Sequence, residues 1–185
     1  PYQVLMVTLS EDEILLGQDV VVSASRVEER LLTAPISLEK LSASEIRNMS
    51  AANFYDGLYM LKGVDMSAHG LIFRFPNARG FNGNNNFRFN QFIDGVDNMP
   101  PALNFAAGNI FGIPEIDVAG VEMLVGASSA LYGPGGMNGT LLIKSKNPFE
   151  YEGLSLSMQS GLMHVGAPYR DSPSPMYDLN LRYAQ

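Results

Sequence analysis

The sequence predicts an α+β fold: a small mixed β-sheet with short helices and long loops, flanked by orphan β-strands at both ends. Three features point there. Short β-branched and aromatic runs are bounded by Gly, Asn and Asp clusters, the pattern of strands separated by turns. Two helix signals stand between residues 42 and 63, both too short for a helical bundle. From Pro148 onward the chain changes to strict alternation of apolar and polar residues.

Taken in order, Pro1 to Leu9 (PYQVLMVTL) reads as one strand, broken by the charged SEDE that follows, and has no partner nearby in sequence. Asp19-Val20-Val21-Val22-Ser23-Ala24 is a short extended run next to the charged stretch Arg26 to Arg30, which offers no apolar face to bury. That run is expected to be available rather than packed. Ile36, Leu38 and Leu41 lie in a strand-like stretch that stops at Ser42-Ala43-Ser44-Glu45, a capping box. The serine can accept from the third helical amide while the glutamate reaches back to the cap amide, so a helix should start near Ala43. Phe54, Leu58 and Leu61, spaced i, i+4, i+7 and closed by Gly63, predict a second helix with these three side chains toward the core.

The stretch 77–109 is rich in asparagine, with Asn84, Asn85 and Asn86 consecutive, and reads as loop and turn. Inside it Phe87 to Ile93 is a strand entering a tight turn at Asp94-Gly95. Val121 to Val125 and Thr140 to Lys144 are two further strands. Their connection, Gly126 to Gly139, is too long for a simple hairpin and can hold one helical turn near Ser128 to Tyr132. Of Phe73, Phe75, Phe81, Phe87, Phe89 and Phe92, most are expected in the core. In the last segment Leu154, Leu156 and Met158 alternate with Ser155, Ser157 and Gln159, and Leu179, Leu181 and Tyr183 with Asn180 and Arg182. Such strands suit a transmembrane barrel or a soluble sandwich equally.

Composition narrows the function. With 185 residues, 46% apolar and 17% charged, the chain can bury a real core. Twelve Lys and Arg against nineteen Asp and Glu leave a net charge of -7 without a basic cluster, which argues against nucleic acid as a partner. There is no cysteine, so disulfides and thiolate metal sites are excluded. No apolar run approaches the ~18 residues of a spanning helix. Both ends read as cuts, and the chain is expected to be part of a longer one.

The chemical motifs are weak. Gly133-Pro134-Gly135-Gly136 leads into a strand and lacks a following Gly-Lys-Ser/Thr, so it reads as a turn and not a phosphate loop. His69 and His164 have no acidic or histidine cluster beside them, and Asp94-Gly95-Val96-Asp97 lacks the spaced ligands of a calcium loop. No nucleophile elbow is present. Neither cofactor nor metal is expected. The asparagines from Asn82 to Asn86 could offer amides to a polar ligand or could simply tolerate turn geometry.

An ordered set of segments is more specific than any of these. Val20 to Ile46 (VVVSASRVEERLLTAPISLEKLSASEI), Ala78-Arg79-Gly80-Phe81, Phe92-Ile93-Asp94-Gly95-Val96, Val121-Glu122-Met123-Leu124, and Ala127 to Gly133 with Asn138-Gly139 and Ile143 to Lys146 resemble the plug domain of TonB-dependent outer-membrane receptors. The resemblance covers about residues 19–150. By it, 151–185 are the first strands of a truncated transmembrane β-barrel, and 1–18 are a linker or the last strand of a preceding β-sandwich domain.

The resemblance implies a non-enzymatic gate in the outer membrane of a Gram-negative bacterium, with the plug facing the periplasm. The plug fills the receptor's own β-barrel, meets a scarce small-molecule or oligomeric nutrient such as a siderophore, vitamin, glycan or peptide, and opens when TonB pulls. Asp19, Val20, Val21, Val22, Ser23 and Ala24 resemble the TonB box, gripped by the TonB C-terminal domain through strand addition. Asn82, Asn84, Asn85, Asn86, Arg88 and Asn104 lie in the loops that face the ligand. Arg79 and Glu122 match residues of plug–barrel contact. Where an arginine commonly follows the Val-Glu-x-Leu motif this chain has Val125, so a lock made of two arginines is not expected. The competing reading is a free-standing periplasmic or secreted β-rich ligand-binding domain. In that case Leu154, Leu156, Leu179 and Leu181 would face a closed core.

Overall fold

The computed structural model describes residues 21–22, 29–30, 37–49, 51, 53–70, 73–80, 87–103, 105–163 and 172–185. The expectations for Pro1 to Leu9, Asp19, Val20, Ser23, Ala24, Phe81, Asn82, Asn84, Asn85, Asn86 and Asn104 lie outside these residues.

The N-terminal strands are β1 (Val21–Val22) and β2 (Glu29–Arg30), which pair antiparallel, Val21 opposite Arg30 and Val22 opposite Glu29. The backbone of the extended run is therefore paired within the chain at these two residues, where the sequence suggested an open strand. β3 (Leu38–Ser42) ends at the expected capping box: Ser42 Oγ accepts from the Glu45 amide, and the Glu45 carboxylate accepts from the Ser42 amide at 2.7 Å. Helix α1 (Ala43–Asn48) follows. Hydrogen bonds from the Ser42 hydroxyl, at 2.7 Å, and then from the Ser42 amide hold the Glu45 carboxyl below its ordinary pKa.

The second helix is shorter than the spacing suggested. Helix α2 (Phe54–Gly57) tightens into a 3₁₀ turn over Leu58–Met60, yet Phe54, Leu58 and Leu61 are all buried as predicted. Asn53 caps its first turn through the Asp56 amide. Strands β4 (Val64–His69) and β5 (Phe73–Ala78) then form a separate antiparallel ladder. The sequence reading missed both. Pro76, which cannot donate to a ladder, argues against a strand unless it sits at an edge, and in this two-stranded ladder both strands are edges.

The main sheet has the order β3, β8 (Val118–Val125), β9 (Gly139–Ser145), β6 (Phe89–Ile93) and β7 (Val96–Asp97). It is mixed: β9 and β6 run parallel and the other neighbours antiparallel. Asp94 and Gly95 both take positive φ, 49° and 81°, which is the two-residue turn that lets β6 return as β7. On one face Val121, Met123, Val125, Leu141 and Ile143 pack against α1, α2 and the 3₁₀ turn. The connection between β8 and β9, including α3 (Ser129–Tyr132), covers the other face. There Asn90 Nδ2 donates to the Tyr132 carbonyl at 2.8 Å, and the Ser128 and Thr140 hydroxyls are 2.6 Å apart. That polar layer explains why the glycine-rich run is a folded-back strap.

The aromatic set divides between core and surface. Phe75 and Phe89 are buried and Phe92 is half-buried, but Phe73 and Phe87 are exposed. Phe87 instead meets Phe105 edge to face, 5.6 Å between centroids, at the rim of the sheet.

The chain ends in an antiparallel hairpin, β10 (Gly153–Met163) with β11 (Ser174–Ala184). Its register sets Leu154 opposite Tyr183, Leu156 opposite Leu181 and Met158 opposite Leu179, so one face is apolar but for Ser160, which stands opposite Tyr177. Leu154, Leu156, Leu179 and Leu181 are 67%, 64%, 67% and 66% exposed; they face no closed core among the described residues.

Candidate functional site

The two ends of the main sheet carry different charged groups. At one end lie the last residue of β8 and the first of β9. Arg79 stands there just after β5, at φ 56°, its amide bonded to the Gly63 carbonyl at 2.9 Å. Its guanidinium lies beside Gly126, whose φ of 121° and lack of Cβ leave the room. The side chain is exposed and has no carboxylate partner among the described residues. Arg88 is exposed at the same end, and its carbonyl accepts from the Asn138 amide at 2.8 Å.

Glu122 is not beside Arg79. It sits mid-strand on β8, directly opposite Lys40 of β3, with the ammonium 3.8 Å from the carboxylate and only 12% of the glutamate side chain exposed. The structure thus places the two expected plug–barrel residues in different settings, one open and one paired across the sheet.

At the opposite end, where β8 begins and β9 stops, the structure assembles residues that sequence reasoning passed over. A 3₁₀ turn over Glu115–Asp117 leads into β8. Arg182 of β11 reaches this turn: Nε lies 2.5 Å from Asp117 Oδ1, Nη1 donates to the Tyr151 carbonyl at 2.6 Å, and Nη2 to the Lys146 carbonyl at 3.2 Å. Lys146 closes the corner from its side, with its amide on the Asp117 carbonyl at 2.8 Å and Nζ on the Ile116 carbonyl at 2.6 Å. One signal was available: alternation puts Arg182 on the polar face of its strand, with Asn180 and Asp178. Nothing in the sequence names Asp117 as its partner.

Beside this corner a cavity of about 570 Å³ separates α1, α2 and the 115–117 turn from the polar face of the hairpin. Arg47, Glu115, Lys146, Gln159 and Asp178 line it. Burial pushes the Glu115 carboxyl above its ordinary pKa; a hydrogen bond from the Phe54 backbone opposes this, and Asp178 adds to it. Burial, then Arg47 and Arg182, lower Lys146, against the pull of Asp117. Deeper in, Gln91 Nε2 donates to the Tyr55 hydroxyl at 2.7 Å and the Gly108 carbonyl at 3.0 Å, and burial raises the Tyr55 phenol well above its usual range. No group of three or more metal-ligating side chains occurs among the described residues.

Comparison with known proteins identifies the fold. The profile of the TonB-dependent Receptor Plug Domain covers residues 30–140. The vitamin B12 transporter BtuB of Vibrio vulnificus is 29% identical over 157 residues, which is 83% of this chain and 25% of BtuB. The chain therefore spans about a quarter of that curated relative. Among solved structures, Pseudomonas aeruginosa FpvA bound to heterologous pyoverdines has a TM-score of 0.60 at 22% identity, covering 76% of this chain and 18% of FpvA. The alcaligin outer-membrane receptor FauA of Bordetella pertussis has a TM-score of 0.56 at 17% identity, covering 76% and 23%. The mixed sheet with few short helices is the fold of these receptors' plugs, and the chain belongs to the TonB-dependent receptor plug domain family.

Proposed function

We propose that this chain is the gate of an outer-membrane receptor: the plug, with the first two strands of the barrel that surrounds it. It holds the passage shut until TonB, pulling on Asp19 to Ala24, opens it for a nutrient bound at the outer face. The observation that carries this reading is the two-faced hairpin. Its apolar side is exposed along the whole ladder, as a lipid-facing surface should be, while its polar side carries Arg182 to the plug. A soluble domain would have to leave that stripe in water.

In this arrangement Asn82, Asn84, Asn85, Asn86, Arg88 and Asn104 face the nutrient, and Arg79 meets an acid of the barrel wall. Glu122 supports the sheet through Lys40 as well as matching the family's contact residue. The plug lies in the outer membrane of a Gram-negative bacterium, faces the periplasm and catalyses no reaction. The nutrient remains a class: the relatives named for siderophores and for vitamin B12 divide on it.

Coupling tests the reading. Calorimetry of this chain with the TonB C-terminal domain should show binding that Val21→Pro abolishes, because proline removes a ladder donor from the strand to be gripped. The β1–β2 pairing at Val21 and Val22 must yield to the partner strand, which two pairs in an isolated ladder permit. Absence of binding by the unaltered chain, or binding that survives Val21→Pro, would remove Asp19 to Ala24 from the mechanism.

A further inference from the structure

A gate that is pulled must be held somewhere. The corner around Asp117 gathers four separate segments: the 115–117 turn, the end of β9, Tyr151 and β11. Arg182 joins three of them through its three nitrogens, and its side chain is only 10% exposed, so water cannot readily replace a lost partner. The parts upstream of this corner are held more loosely. Among the described residues β3 is an edge strand with β8 as its one neighbour, over five paired positions. Among the described residues the β4–β5 ladder pairs with no other strand, and Arg74 ties it to Asp56 of α2 and to Asn109, both upstream of the corner. At the far end of the sheet Arg79 has no carboxylate partner among the described residues.

We propose that Arg182 is a positioning residue that moors the Asp117–Lys146 corner to the terminal hairpin and makes it the fixed end of the domain under tension from the N-terminal side. The physiological sense of this rests on the plug reading; the mechanical claim does not. A guanidinium that bonds one carboxylate and two carbonyls fails all at once, since losing one contact leaves a buried charge short of partners. Tension should therefore unravel the upstream elements first and stop at the corner.

The chain has no cysteine, so handles can be attached at Ser37→Cys and Glu152→Cys, both exposed positions, leaving the hairpin outside the loaded path. Single-molecule pulling in dodecyl maltoside micelles should then give two steps. The later one should release residues 115–152, about 130 Å of chain at about 3.4 Å per residue. Arg182→Met should merge that step with the first, and Arg182→Lys, which keeps the charge but not the fork, should retain it at lower force. Unchanged hydrogen exchange at Met123 and Leu141 checks that the variants fold. If Arg182→Met does not fold, Asp117→Asn takes its place and should lower the force of the later step. A single step in the parent chain, or an undisturbed second step in the folded Arg182→Met or its substitute, overturns the proposal. Failure of the TonB calorimetry with both steps intact would remove Asp19 to Ala24 from the pulling mechanism and leave the mooring standing.

Discussion

The guanidinium of Arg79 occupies the space a side chain on Gly126 would need: its Cζ is 2.8 Å from the Cβ position there, with both terminal nitrogens at about the same distance. Gly126 also sits at φ 121°, where an L side chain is strained. Gly126→Ala should therefore destabilise the domain by about 2 kcal/mol, from backbone strain and displacement of the arginine. Arg79→Ala alone should cost little, because the side chain is exposed and has no carboxylate partner among the described residues. Combined, the two changes should cost less than their sum, since the collision disappears while the strain stays. Urea unfolding of the three variants measures this, and strict additivity would mean the contact carries no energy.

The Lys40–Glu122 pair crosses from β3 to β8 with its nitrogen and oxygen 3.8 Å apart, a long contact with the lysine 30% exposed. Coupling between them should be below about 1 kcal/mol in a Lys40→Met, Glu122→Gln cycle. A larger coupling would make this pair a main tie of the edge strand, and unzipping from β3 would then need more than modest force.

Much of this fold can be read from residues whose conformational demands are local. Ser42 and Glu45 specify a helix start whatever surrounds them, and Asp94-Gly95 specifies a tight return. Phe54, Leu58 and Leu61 keep their burial although the helix narrows to a 3₁₀ turn that ends before Leu61. The β4–β5 ladder was hidden by Pro76, whose meaning depends on whether its strand is an edge. Arg79 and Glu122 could be placed in a family pattern, but their partners are matters of tertiary register. The Asp117–Arg182 contact joins residues 65 positions apart, and no local signal links them.

Glu115 predicts a pH dependence of stability. Burial raises its folded pKa above the unfolded value, so the folded state binds the proton more tightly. Stability from this group is then present at low pH and falls as pH rises from the unfolded pKa through the folded one. Glu115→Gln keeps an acceptor for the Phe54 amide and removes the charge. It should raise the urea midpoint at pH 7, and the gain should vanish by about pH 4, near the unfolded carboxylate value. A gain of equal size at both values would assign the effect to packing and not to the buried charge.

The hairpin's two faces predict opposite responses to the same substitution. Leu156 and Leu181 stand opposite each other on the apolar face, whereas Ser157 belongs to the polar one. If the apolar face lies against lipid, arginine there costs about 2–4 kcal/mol near the bilayer centre, and arginine on the polar face far less. Flotation with neutral phosphatidylcholine vesicles should recover the unaltered chain and Ser157→Arg in the lipid fraction, and should leave the double variant Leu156→Arg, Leu181→Arg in solution. Neutral lipid matters, because it removes any attraction of the added charge to anionic headgroups. Equal flotation of all three would show that the exposed stripe is covered by protein and not by membrane, and the barrel assignment of residues 151–185 would fall with it.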